Sequence, residues 1–196
     1  MRRWVIALVL FLALISAPGV KAQNNLTFAQ VHIDLWPEYD QPDMLVIYRM
    51  VLASEVSLPA QVSVRIPRAS GNPYNVAMQE MDGQLYNMTY STETDGDWLR
   101  VTFTTASPII QMEYYDPSIT REGDTRQYVF NWPGDYEVEE MVVQVLQPSN
   151  AGQMSISPGT TTAFEGENGL LYHSLQVGKV DRGMSFRLRI GYEKPD

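Results

Sequence analysis

The chain has 196 residues, a formal charge of −9 and no cysteine. The cysteine count excludes disulfide stapling and thiol chemistry, and the acidity disfavours nucleic acid and anionic lipid as partners. The length suffices for one well-buried body or for two small ones that gain from packing together.

Residues 1–22 read as a signal peptide. Arg2 and Arg3 form a positive head, Trp4 to Ala17 is an apolar run, and Pro18-Gly19 breaks it ahead of Val20-Lys21-Ala22, a cleavage pattern before Gln23. The run is 14 residues, short of the about 20 that cross a bilayer as a helix. No cysteine follows it, which excludes a bacterial lipoprotein. Cleavage removes Arg2, Arg3 and Lys21 and takes the formal charge from −9 to −12. The expected location is extracellular or periplasmic, with no direct membrane insertion once the leader is gone. An exported chain of this size without disulfides suits a bacterial or archaeal envelope.

Beyond the leader the signal is strand. Val31, Ile33 and Leu35 alternate with His32, Asp34 and Trp36, giving one apolar face. Met44 to Ala53 is almost continuously apolar except at Arg49, the pattern of a strand buried on both faces. Val62, Val64 and Ile66 alternate with polar residues between Pro59 and Pro67. Asp82-Gly83 separates two apolar runs and predicts a hairpin with a type I′ turn. Thr94 to Asp97 predicts another turn, and Trp98 to Thr105 alternates again. Ser107-Pro108 is the best internal boundary. Strands are then expected over Ile109 to Tyr115, Gln127 to Trp132, Tyr136 to Gln147, Gly152 to Ser157, Leu170 to Val177 and Met184 to Tyr192, with Asn168-Gly169 as a second I′ pair.

Much of this is said twice. Trp36-Pro37 returns as Trp132-Pro133, Gln61-Val62-Ser63-Val64 as Gln153-Met154-Ser155-Ile156, and Asp82-Gly83 as Asn168-Gly169. The offset shrinks from 96 to 92 to 86 residues, as loop deletions in a second copy would produce. That period is too long for a solenoid repeat and close to the size of a small β-sandwich. The expected fold is all-β: two tandem immunoglobulin- or fibronectin-III-like sandwiches, residues 23–107 and 108–196, or alternatively one larger sandwich whose halves share a core.

Catalytic patterns are missing. There is no Gly-x-Ser-x-Gly, no His-Glu-x-x-His and no carboxylate pair that stands out, so the chain reads as non-enzymatic. His32 and His173 read as ordinary strand residues. Glu93, Asp95 and Asp97 alternate through a turn and could offer calcium three of the six to eight oxygens it takes; a solvated turn is the plainer reading, and no cofactor is expected. Asp34, Glu38, Asp40 and Asp43 form a second acidic group, also read as solvated. Trp36, Tyr39, Trp132 and Tyr136 are the candidate contacts for a protein or a glycan, set against a purely structural role for two tryptophans kept in both copies.

Trp36-Pro37-Glu38-Tyr39-Asp40, Leu45-Val46-Ile47-Tyr48-Arg49 and Glu113-Tyr114-Tyr115-Asp116-Pro117 resemble a group of uncharacterised bacterial exported proteins over most of the mature chain. The resemblance implies an extracytoplasmic β-domain, in such proteins commonly followed by a membrane anchor; here Glu193-Lys194-Pro195-Asp196 is polar and suits the start of a stalk. The functional expectation is an envelope module that binds or spaces a protein partner, with carbohydrate binding through the aromatics as the alternative.

Overall fold

A computed structural model of the protein describes residues 26–159, 161–166 and 169–195. The expected leader, residues 1–22, lies outside them, as does Asn168. Among the described residues there are fifteen strands: β1 (Thr27–Pro37), β2 (Met44–Leu52), β3 (Ala60–Pro67), β4 (Asn75–Gln79), β5 (Leu85–Asn87), β6 (Tyr90–Asp95), β7 (Trp98–Thr105), β8 (Ile109–Asp116), β9 (Thr120–Glu122), β10 (Thr125–Trp132), β11 (Glu137–Leu146), β12 (Ser155–Ser157), β13 (Thr162–Glu165), β14 (Leu171–Val180) and β15 (Phe186–Glu193). One 3₁₀ turn, Arg68–Ser70, is the sole helical element among the described residues. The all-β reading holds.

The strands form an eight-stranded sheet of order β13-β14-β11-β1-β2-β8-β4-β5, a four-stranded sheet β12-β15-β10-β9 and a three-stranded sheet β3-β7-β6. Strands from both sides of Ser107-Pro108 lie side by side in the large sheet. β1 pairs antiparallel with β2 and parallel with β11, with Val31 opposite Met141 and Leu35 opposite Val145. The two segments therefore share a sheet, and the arrangement is the larger sandwich with a common core.

That core follows from alternation. Val31, Ile33 and Leu35 of β1, Val46, Tyr48 and Met50 of β2 and Met112 and Tyr114 of β8 face inward from the large sheet. They meet Phe130 and Trp132 of β10, Leu188 and Ile190 of β15, and Val62, Val64 and Val101 of the three-stranded sheet in one continuous cluster. The Tyr48 ring stands edge-on to Tyr114, Phe130 and Trp132 at 5.7, 6.3 and 5.8 Å. Its hydroxyl is 3.2 Å from that of Tyr114. Asp116, buried beside them, accepts from the Tyr128 hydroxyl at 2.9 Å and from the Ser118 N–H at 3.0 Å, so a carboxylate in this interior has the partners that burial demands. β2 is buried on both faces apart from Arg49, as its composition indicates.

The repeated motifs share local geometry and differ in placement. At the first hairpin the Gly83 N–H donates to the Glu80 carbonyl at 2.9 Å and the Glu80 N–H to Gln84 O at 3.0 Å; at the second, Gly169 donates to Gly166 at 2.9 Å and Gly166 to Leu170 at 2.8 Å. The first is a longer turn closed by a glycine at positive φ, 79°, the three-residue type with a glycine bulge, and Gly169 at the second likewise has positive φ, 72°. The I′ expectation fails at Asp82 because its carboxylate accepts from the Gln84 N–H at 2.8 Å, an Asx-type bond that a residue in ordinary φ makes. The Trp-Pro pairs separate more. β1 lies in the large sheet and β10 in the four-stranded one, so the second pair carries the chain across the core and the first does not.

Candidate binding surfaces

Strand alternation divides the expected aromatics. Trp132 faces the core and is 2% exposed. Tyr136 packs edge-on to Phe28 at 5.2 Å, accepts from the Ser63 N–H at 2.9 Å and lies under Arg182 at 5.7 Å. These two hold the layers together, and Trp132 has no face left for a ligand. Trp36 and Tyr39 go the other way. Trp36 points to the outer face of the large sheet and meets Tyr39 with ring centres 4.8 Å apart at 57°.

The register extends that pair into a strip. Trp36 on β1 lies opposite Leu45 on β2, which lies opposite Tyr115 on β8. Trp36 and Tyr115 thus stand two strands apart on one face, about 10 Å. Tyr74, held just ahead of β4 by its N–H to the Glu113 carbonyl at 2.8 Å, meets Tyr115 edge-on at 5.7 Å and 84°. Tyr74 is 73% exposed and Tyr39 53%. The Tyr115 hydroxyl donates to Asp40 at 2.7 Å; partial burial and that carboxylate push the phenol up to about 12. Tyr74 was not singled out in the sequence because the residues ahead of β4 carry no periodic signal.

A charge cluster closes the Trp36 end of the strip. Glu38 has φ 48° and a side chain only 10% exposed. Its Oε1 is 3.4 Å from Arg126 Nε and 3.5 Å from Arg121 Nε. Its Oε2 accepts from the Tyr192 hydroxyl at 3.0 Å and lies 3.3 Å from Lys194 Nζ. Burial pushes this carboxyl up, but the Tyr192 hydrogen bond and the charges of Lys194 and Arg126 outweigh it and hold it below its usual range. Asp34 is likewise buried and paired, accepting from Arg49 with His32 Nε2 at 3.3 Å. The reading of Asp34, Glu38, Asp40 and Asp43 as one solvated group is corrected: Asp34 and Glu38 are enclosed by cations, and of the four only Asp40 is exposed, with Asp43 half-buried. The partners of Glu38 lie 83 or more residues away in sequence, so no local pattern announces them.

The calcium turn takes a different form. Asp95 pairs with Arg100 at 2.6 Å, and Gly96 with φ 63° starts a tight β6–β7 turn. Among the described residues no three His, Asp or Glu side chains converge as metal ligands, so Glu93, Asp95 and Asp97 do not gather into a cation site. His32 sits on β1, and His173 on β14 has its Nε2 2.9 Å from Gln147 Oε1, with β11 between the two strands.

No family model matches the chain, and no curated protein matches it. Solved structures do. An M1 zinc metallopeptidase from Deinococcus radiodurans is similar with a TM-score of 0.54 and 13% identity, over 87% of this chain and 43% of that one. Yeast LTA4 hydrolase gives 0.49 and 8%, over 91% and 31%. The chain spans less than half the length of these structures. At such identity the likeness to the metallopeptidase is one of fold, and it supports the all-β sandwich.

Proposed function

We propose that the chain is a non-enzymatic module, exported to the cell envelope, that binds a protein partner through the aromatic strip on the outer face of its large sheet. The observation that carries this is the convergence of Trp36 and Tyr39 at the end of β1, Tyr115 of β8 and Tyr74 ahead of β4 onto one row, with Tyr39 and Tyr74 exposed and Trp36 and Tyr115 half-buried. Trp and Tyr anchors ringed by polar groups are the composition of interface hot spots. Asp40 and Glu113 border the row, and the chain as a whole is acidic, so the partner surface that fits is basic. A rigid sandwich with its contact row on one face also suits a spacer.

Glycan stacking at the same rings is less well supported. Sugar rings stack on aromatic faces that share a plane, and these pairs meet at 57° and 84°. The likeness to a zinc metallopeptidase is a likeness of fold and brings no reaction with it.

The test is cross-linking in cells followed by purification, with wild type beside the exposed double variant Tyr39→Ala, Tyr74→Ala. A basic protein captured by wild type and lost from the variant, at unchanged melting temperature, supports the reading. Capture of the same proteins by both overturns it.

A further inference from the structure

The three-stranded sheet ends in a bare strand. The Arg68 N–H donates to the Asp97 carbonyl at 2.9 Å, which extends the β3–β7 ladder by one bonded pair beyond Pro67 and Trp98. Bonded pairs alternate along an antiparallel ladder. Leu99, Val101 and Phe103 therefore turn their main-chain groups to β3, and Trp98, Arg100 and Thr102 turn theirs to β6. Their partners there are Asp95, Glu93 and Ser91. This leaves Tyr90, Thr92 and Thr94 with N–H and C=O groups aimed away from the sheet.

The opposite edge of the same sheet has the matching phase and is closed. Ser63 and Arg65 of β3 point their N–H groups outward, where the Tyr136 hydroxyl accepts one at 2.9 Å and the Asp135 carboxylate the other at 3.1 Å. At β6 the loop ahead of β4 meets side chains only. The Tyr90 hydroxyl donates to the Pro73 carbonyl at 3.2 Å, and Thr92 donates to the Asn72 side chain at 3.4 Å. Among the described residues nothing bonds the outward main chain of Tyr90, Thr92 or Thr94. The strand also lacks the devices that keep sheet edges apart. It has no proline and no lysine, and its register with β7 is unbroken. Its length is 6 residues, against 3 for β5, β9 and β12 and 4 for β13.

We propose that β6 pairs antiparallel with β6 of a second copy of this chain, across a two-fold axis through Thr92. In that register Thr92 meets Thr92 of the second copy and Tyr90 meets its Thr94. Each such pair exchanges both of its hydrogen bonds, so every outward group of the strand is used and the two small sheets become one. The side chains fit the same register. Thr–Thr and Tyr–Thr are favourable cross-strand pairs, and on the other face Glu93 meets a Ser91 hydroxyl. Moving the axis to Thr94 would set Glu93 against Asp95, like charges that oppose pairing. Moving it to Tyr90 would set Thr92 against Met88, which lies outside the strand. The charge pattern thus selects one self-complementary register, the requirement of an isologous contact. It also disfavours a basic segment of another protein. Asp95 is already held by Arg100 at 2.6 Å, so Glu93 is the carboxylate left on the strand to attract one. Charges elsewhere on the two acidic copies are screened beyond about 8 Å. The contact is small for a protein interface, and a dissociation constant of about 10–100 μM is expected. The pairing takes nothing from the aromatic strip.

The experiment is sedimentation equilibrium of the full exported chain over a concentration series spanning that range, followed by cross-linking. The mass should rise from one copy towards two. Thr92→Lys places like charges on the axis and should weaken association roughly tenfold or more without shifting the melting temperature of the dilute protein, and Thr94→Lys, also exposed, should act the same way. Tyr39→Ala with Tyr74→Ala should leave association unchanged. The register is read by oxidising a mixture of Ser91→Cys and Glu93→Cys, one of them tagged, since the chain has no other cysteine. The mixed disulfide should form ahead of either like-with-like product, because those two positions face each other. A chain that stays monomeric throughout the series, association that both lysine variants leave intact, or disulfides with no preference for the mixed pair would each overturn the proposal.

Discussion

Glu38 and Gly134 both hold a positive φ at the same place, the residue after each Trp-Pro, 48° and 76°. The two copies part ways at Cβ. At Gly134 an added Cβ would lie 2.8 Å from the Met184 backbone, and the Gly134 carbonyl accepts from the Gly183 N–H at 2.8 Å. No side chain fits there. At Glu38 there is space, and the carboxylate gathers Arg121, Arg126, Lys194 and Tyr192. The left-handed turn common to both copies is thus a packing contact in one and an electrostatic anchor in the other, and the anchor offsets the strain of a non-glycine residue at positive φ.

Gly134→Ala should be costly. It adds the left-handed penalty for an L-residue to a clash with backbone that has no rotamer to give, and at least about 2 kcal/mol of stability should be lost. Urea denaturation measures it directly. A loss below about 0.5 kcal/mol would mean the turn relaxes freely.

The Glu38 cluster predicts a pH dependence. Its folded value is held below the unfolded value of about 4.3, so its contribution is fully present above that pH and is lost as pH falls through the folded value. Glu38→Gln should cost about 2 kcal/mol at neutral pH. The gap to wild type should narrow as pH drops below about 4. Denaturation curves at pH 7, 5 and 3 report both, and a gap that is constant with pH would show that the charge does not matter.

Trp132 and the strip aromatics should separate in stability. Trp132→Ala empties a core position beside Tyr48 and should cost about 3–5 kcal/mol. Tyr74→Ala, at an exposed ring, should stay within about 1 kcal/mol. Thermal melts of the two variants decide it, and comparable losses would move the strip into the core.

Calcium should leave the fold indifferent. Asp95 is already engaged by Arg100, and the Glu93–Asp97 carboxylates do not converge. Melting with calcium and with chelator should superimpose; a raised midpoint in calcium would return those residues to a binding role.

Strand alternation was legible because burial on one face writes itself into a period of two. That is why β1, β3 and the doubly buried β2 are visible in the residues alone. What was not legible is pairing between distant strands. Nothing in Val31 or Met141 announces that they are neighbours in a parallel ladder, so a shared-core sandwich and two tandem ones read alike. The same limit hid the outcome at the tryptophans. Trp36 and Trp132 end similar strands, but only the sheet each strand joins decides which face is covered.

The central claim is that the aromatic strip is the contact row. A photo-cross-linking residue placed at Tyr74 in cells, with Asp95 as a control position on the three-stranded sheet, tests it most directly. The account expects a discrete adduct with one basic protein at position 74, weakened by Tyr39→Ala and absent at position 95. No adduct at 74, or the same adducts at both positions, would contradict it.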